Sequence, residues 1–257
     1  MSVLFPRLFA SFARSATDGF WATFHRPPRA PTHRNLGLEE GAQFPELRHS
    51  RMRPVGGLGK RVADIAIAGV VGIAAMPILL LVGLAIKLSM GGPILYRHRR
   101  IGFGGRPFDC LKFRTMVVNG DEVLARYLAN NPAAAEEWRR DRKLVHDPRV
   151  TRLGALLRKS SLDELPQLLN ILRGEMSCVG PRPVVADELV RYGIHAEAYL
   201  RARPGMTGSW QVSGRSTIDY GDRVALDSAY VRKWSFASDI LILVRTVPAL
   251  LKVDQAA

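Results

Sequence analysis

The chain of 257 residues carries 37 Lys+Arg against 23 Asp+Glu, a formal charge of +14. That excess calls for an anionic partner, whether nucleic acid, an anionic membrane face or phosphorylated substrates, and does not choose among them. The length allows one sizeable domain with appendages, and two cysteines, Cys110 and Cys178, without CxxC or Cys/His spacing suggest neither a disulfide framework nor a zinc site.

Residues 1–57 mix arginines and prolines (Pro27, Pro28, Pro31) with no sustained period, and read as a flexible basic arm. Pro6 and Arg7 interrupt the apolar opening too early for a secretory signal. Residues 58–92 hold the long apolar run; from Val62 to Ile86 its one charge is Asp64, which predicts a membrane-embedded helix. Pro77 lies mid-run, and basic residues flank both ends: Lys60 and Arg61 before it, Lys87, Arg97, Arg99 and Arg100 after it. A crossing helix shows its Lys/Arg excess on one side, so symmetric flanks favour a helix that breaks at Pro77 and returns. The ~15 residues before Pro77 rise only ~22 Å, short of the ~30 Å hydrocarbon layer. A kinked single-pass span is the alternative.

Residues 93–257 read as a small, basic, mixed domain. Two strands, Ile94 to Arg99 and Phe108 to Arg114, are expected around a Gly/Pro turn; "GFGG" lacks the Walker lysine and is read as that turn. Alternation along "LKFRTM" puts Lys112 and Arg114 on one face. Residues 119–143 are helical with an interruption at Asn131-Pro132, "RVTRLGALLRK" and "LPQLLNILRG" are short helices, and Gly174 supplies a left-handed stop. "RARPGMTGSWQVSGRS" reads as a Gly/Ser-rich loop, with glycines 205, 208 and 214 allowing close approach to a ligand. The C-terminal "SFASDILILVRTVPALLK" suits either an amphipathic helix in a membrane interface or core packing. The expected fold is mixed α/β and mainly helical: a re-entrant membrane helix, then an α+β catalytic domain with interfacial helices.

Chemistry concentrates in "SSLDELPQLLN". A capping box from Ser161 to Glu164 is one reading; the other follows from Pro166, which suits the third helical position and so nudges Asp163 to the helix N-terminus. There the macrodipole, with Arg158 nearby, favours the charged carboxylate, available as a nucleophile toward phosphorus or a cation ligand. Glu164 beside it is free to hold Mg²⁺, a cation that takes its other oxygens from water and phosphates. The rigid "GPRP" turn fixes Arg182 for phosphate or carboxylate binding, and Arg203, Gln211 and Arg215 are polar candidates in the Gly-rich loop.

Taken in order, the basic pair before a Pro-containing apolar helix, "FDCLKFRTM", "SLDELPQLLNILRGEMSCVGPRP" and "RPGMTGSWQVSGR" resemble the bacterial sugar transferases known as monotopic phosphoglycosyl transferases, over about residues 58–252. "HRRIGFGGRPFDCLKFRTM" and "NNPAAAEEW" are similar to the succinoglycan-type exopolysaccharide initiators within that family. The resemblance implies transfer of a hexose 1-phosphate, galactose by this similarity, from a UDP-sugar to undecaprenyl phosphate at the cytoplasmic face of the inner membrane. It implies Asp163 as the nucleophile of a covalent phosphosugar intermediate with release of UMP, Glu164 as Mg²⁺ ligand, and Arg158 and Arg182 as phosphate contacts. It also implies Lys60 and Arg61 as head-group anchors of a helix broken at Pro77, although Met76 stands where the family commonly has serine. A membrane-tethered nucleic-acid-binding or scaffold protein is the alternative class; no helix-turn-helix or stacked-aromatic RNA motif supports it, so no nucleic-acid partner is expected.

Overall fold

The computed structural model describes residues 53–141, 143–214 and 218–251, so the basic arm, apart from its last residues, lies outside the described residues. The described part is mostly helical with two small two-stranded sheets, in line with the expected mixed class.

Helix α1, Gly57–Met90, is long and apolar enough to cross a membrane, and only 11% of its most apolar window is buried, unlike the core helix of a soluble protein. It runs without interruption through Pro77, which corrects the expected break. Proline removes one backbone donor, here the partner of the Ile73 carbonyl, and the turns on both sides persist. Met76 has no hydroxyl to donate to the freed carbonyl.

Both ends of α1 are held by the same body. Near its start Asp64 Oδ1 accepts from Ser177 Oγ at 3.0 Å and from the Cys178 amide at 2.9 Å, and Ala68 joins the main core. Ile86, roughly 33 Å farther along the α-helix than Asp64, is fully buried against Phe113 and Leu157. The outward side chains Val62, Val70, Ile73, Leu80, Leu84 and Leu88 stay exposed.

The basic pair does not reach outward as the resemblance implied. Lys60 is buried in an ion pair with Asp239 at 2.5 Å, and Arg61 donates to the carbonyls of Ile171 and Leu172. A buried ammonium needs a partner and a helix C-terminus offers free carbonyls, so both cations fasten the helix to protein rather than to head groups.

Strands β1 (Leu95–Ile101) and β2 (Pro107–Phe113) form the expected antiparallel hairpin, in the register Leu95↔Phe113 to Ile101↔Pro107, with the "GFGG" segment as its turn. Helices α2 (Gly120–Asn130) and α3 (Pro132–Asp141) meet at Asn131, whose Oδ1 accepts from the Ala134 amide at 3.1 Å, with Pro132 in the first helical position. Helix α4 (Arg152–Lys159) starts from a Thr151 cap, and α5 (Gln167–Arg173) ends at Gly174 with φ 83°.

Strand β3 (Ser177–Val179) pairs in parallel with β4 (Gly205–Thr207). Between them come α6 (Ala186–Val190) and α7 (Ala196–Leu200); α8 (Ser209–Ser213), α9 (Tyr220–Arg232) and α10 (Phe236–Leu251) follow. The Gly-rich loop is thus corrected to a strand and a short helix. A Cβ at Gly205 would lie 2.1 Å from the Gly180 amide nitrogen, and one at Gly208 2.2 Å from the Gly180 carbonyl oxygen. These two glycines let the Gly180 backbone pack close, and Gly205 also lines the large cleft. Gly205→Ala is expected to cost about 3 kcal/mol or more, because backbone on both sides must shift; chemical denaturation measures it.

The core gathers Phe108, Leu168, Ile171, Met176, Val179, Tyr230 and Ile242, and the two thiols are buried as free cysteines. Helix α10 packs Ile242 and Leu243 inward, as the core-packing reading expects, and leaves Ile240, Val244 and Val247 exposed.

Candidate active site

The acidic pair is placed by a chain reversal. Helix α4 ends at Ser160; Ser161 takes φ 57°, the only positive φ at a non-glycine among the described residues; Leu162–Glu164 then form one 3₁₀ turn. Helix α5 begins only after Pro166, and neither Ser161 nor Pro166 caps with a side chain. The capping box and the Asp163 cap are both corrected. The left-handed residue turns the chain between the two helices, so that both acids fall in a 3₁₀ turn and not at a helix start.

Asn170, fully buried on α5, ties this turn to the hairpin. Its Oδ1 accepts from the Leu111 amide at 3.0 Å and its Nδ2 donates to the Asp109 carbonyl at 2.8 Å. Lys112 is thereby brought to Glu164, Nζ to Oε1 at 2.5 Å. Arg158 donates from Nε to Thr115 Oγ1 at 2.9 Å.

Asp163 is 9% exposed and lines an open cleft of about 2550 Å³. That exceeds the ~300–1,000 Å³ of a single small-ligand pocket. Burial pushes its carboxyl up to about 6; Lys112 pulls it down, Glu164 adds to the rise, and Arg158 pulls down. The expected direction is reversed, since loss of water outweighs the two cations and the acid sits in no helix cap. At pH 7 it is still mostly ionised, poorly hydrated, and basic enough to attack.

Other groups in the cleft are poor proton carriers. Burial, Arg100, Lys112 and Arg182 hold His98 down at about 4, and burial pushes the Cys110 thiol up to about 11. Neither of these two groups supplies a charged imidazole or a thiolate at neutral pH, and Asp163 stands beside them as an ionisable carboxylate.

Lys112, Arg114, Arg158, Arg182 and Gln211 share the cleft with Asp163 and Glu164. Arg114 also donates to the carbonyls of Met90 and Gly91, closing the C-terminus of α1. Arg203 does not line the cleft: its Nε donates to the Gly174 carbonyl at 2.8 Å, near Arg61. Its expected contact with substrate is corrected to a bracing role. Arg215 lies outside the described residues. Residues that carry no sequence motif complete the wall, notably Arg223 and Tyr220 of α9, with Asp227 beneath them. The i, i+4 spacing of Arg223 and Asp227 is the signal that points to them.

The profile of the bacterial sugar transferase family matches residues 55–253. The chain is 58% identical over 199 residues to the exopolysaccharide production protein ExoY of Sinorhizobium fredii, covering 77% of this chain and 88% of that one. It is 50% identical over 197 residues to an undecaprenyl-phosphate galactose phosphotransferase of Salmonella typhimurium, covering 77% of this chain and 41% of the other. Over 240 residues it is 40% identical to a UDP-glucose:undecaprenyl-phosphate glucose-1-phosphate transferase of Caulobacter vibrioides, 90% and 82% of the two chains. A match of this length, running through the hairpin, the acidic turn and the cleft wall, means that the chain belongs to the bacterial sugar transferase family.

Proposed function

We propose that this protein transfers a hexose 1-phosphate, galactose 1-phosphate first, from a UDP-sugar to undecaprenyl phosphate and so initiates an exopolysaccharide. The observation that carries this reading is Asp163, a buried carboxylate between Lys112 and Arg158 in a cleft roomy enough for a nucleotide sugar. The names of the relatives supply the donor, acceptor and product class.

In the reaction, a carboxylate oxygen of Asp163 bonds to the phosphorus that carries the hexose. The bond from that phosphorus to the bridging oxygen breaks, and UMP leaves with the electron pair. An oxygen of undecaprenyl phosphate then attacks the same phosphorus, the Asp163–phosphorus ester breaks, and the carboxylate is regenerated. Lys112 and Arg158 meet the charge of the diphosphate. Ionised Asp163 needs no general base, in keeping with a neutral His98.

The donor set suits Mg²⁺. Glu164 keeps one carboxylate oxygen beyond its Lys112 contact, and among the described residues no cluster of three ligating side chains forms a complete cage. A cation that takes one or two carboxylates and fills its shell with water and phosphate oxygens fits such a pair, with Glu164 as the holder. When bound it would neutralise charge on the diphosphate.

The same reading places the chain as a monotopic protein on the cytoplasmic face of the inner membrane. What supports it is that both ends of α1 pack on one body while its outer face stays apolar and exposed.

The test is intact-mass analysis of the purified chain in lipid nanodiscs. UDP-galactose and Mg²⁺ should add one hexose phosphate and release an equivalent of UMP, and undecaprenyl phosphate should discharge the adduct. No adduct and no UMP would overturn the proposal.

A further inference from the structure

Eight buried side-chain nitrogen or oxygen atoms among the described residues lack a hydrogen-bond partner, and five of them lie in one group: Arg182 Nε, Trp210 Nε1, Gln211 Oε1, Arg223 Nε and Asp227 Oδ1. Burying polar atoms without partners is costly, so such a concentration marks the seat of a ligand. Arg182, Trp210, Gln211 and Arg223 line the cleft that holds Asp163. Trp210 is itself more than nine-tenths buried.

The group is built, not incidental. Asp227, one turn beyond Arg223 on α9, accepts from the Arg182 amide at 3.2 Å and the Tyr192 hydroxyl at 3.3 Å, and so joins the "GPRP" turn to α9. Both guanidinium groups lie over the Trp210 ring, with Cζ to centroid distances of 4.3 Å for Arg223 and 5.4 Å for Arg182. Cation–π contact fixes their planes while leaving their edges for hydrogen bonding.

The chemistry of the free atoms narrows the ligand. A diphosphate only accepts hydrogen bonds at neutral pH and would leave Gln211 Oε1 unpaired. A nucleobase would have to stack on the outer guanidinium planes, because the indole face is covered, and titration with UMP separates that ligand from a hexose. Hydroxyl groups both donate and accept, matching guanidinium and indole N–H donors beside an amide oxygen.

We propose that Arg182, Trp210, Gln211 and Arg223 form a polyol-reading subsite for the hexose of the nucleotide sugar, and that Arg223 is the residue that sets which hexose is accepted. The proposal rests on the transferase reading for its choice of donor. Galactose and glucose differ in the direction of one hydroxyl, and a site built to hydrogen-bond a hydroxyl rejects the epimer that leaves its buried donor unpaired.

The test is calorimetric titration of the full chain carrying Asp163→Asn, so that donor is not consumed, with UDP-galactose, UDP-glucose and UMP in turn. Adding Arg223→Met should weaken the preferred UDP-hexose about tenfold or more. The ratio between the two hexoses should move by at least about fivefold, and UMP, which lacks the hexose, by less than about twofold. Gln211→Leu should repeat the pattern, which keeps the test decisive should the first variant fold poorly. UMP weakening in step with both UDP-hexoses, or an unchanged hexose ratio in both variants, would overturn the proposal. These ratios are read without turnover, so they stand or fall separately from the covalent mechanism.

Discussion

Asp163→Asn is expected to leave a folded, membrane-bound protein whose UMP release falls on the order of 10⁴-fold or more, the scale seen when a nucleophile is removed. The amide keeps the size of the carboxyl and cannot form the ester. A loss below about tenfold would reject Asp163 as the attacking group. The wild-type pH profile carries the same information: with the carboxyl near 6, kcat/KM should fall about tenfold per pH unit below that value as the nucleophile is protonated. Stability should move the other way. Because the folded-state pKa is raised above the unfolded one, ionising Asp163 works against folding from the ordinary carboxylate range up through about 6 and fully above it. Asp163→Asn should therefore be more stable than wild type at pH 8 by about 1–3 kcal/mol, with the gain vanishing toward pH 4. Thermal unfolding at the two pH values reads this directly.

Asp239→Ala should be the most damaging single change away from the cleft. Asp239 accepts from Lys60 Nζ at 2.5 Å, Tyr230 Oη at 2.6 Å and Trp234 Nε1 at 3.0 Å, all at the junction of α1 and α10. Truncation strands a buried ammonium and two aromatic donors, and breaking a buried pair from one side costs about 3–5 kcal/mol. Removing both charges, as in Lys60→Met with Asp239→Leu, should recover much of that loss, because the stranded charge goes with its partner. If the double variant is as unstable as Asp239→Ala, the charge account is wrong and packing dominates. Urea unfolding in detergent separates the two.

What was legible in the sequence was whatever depends on neighbours along the chain. The hairpin, the helix pair around Asn131-Pro132 and the Gly174 stop follow from local turn and capping chemistry, and all are found. Asp163, Glu164, Lys112, Arg158 and Arg182 do converge on one cleft. The misreadings each involve a partner distant in sequence. Lys60 looks like a surface anchor until Asp239, 179 positions away, is seen to meet it. Arg203 looks like a ligand contact until Gly174 claims it, and the glycines at 205 and 208 look like ligand space until Gly180 is seen packed against them. The protonation of Asp163 depends on how much water the fold removes, which no spacing of residues reports.

The long helix also shapes the route by which a lipid can arrive. Ile67 and Val71 of α1 and Leu243 and Ala249 of α10 line the same cleft as Asp163, so one margin of the reaction chamber is made of the greasy elements themselves. On the proposed transferase reading, an amphiphile with a phosphate head and a long hydrocarbon tail would slide in sideways, its head advancing to the acid while the tail stays among acyl chains. Dissolution into water would not be required, and acceptor supply would become two-dimensional diffusion, governed by surface density in the leaflet rather than by bulk concentration.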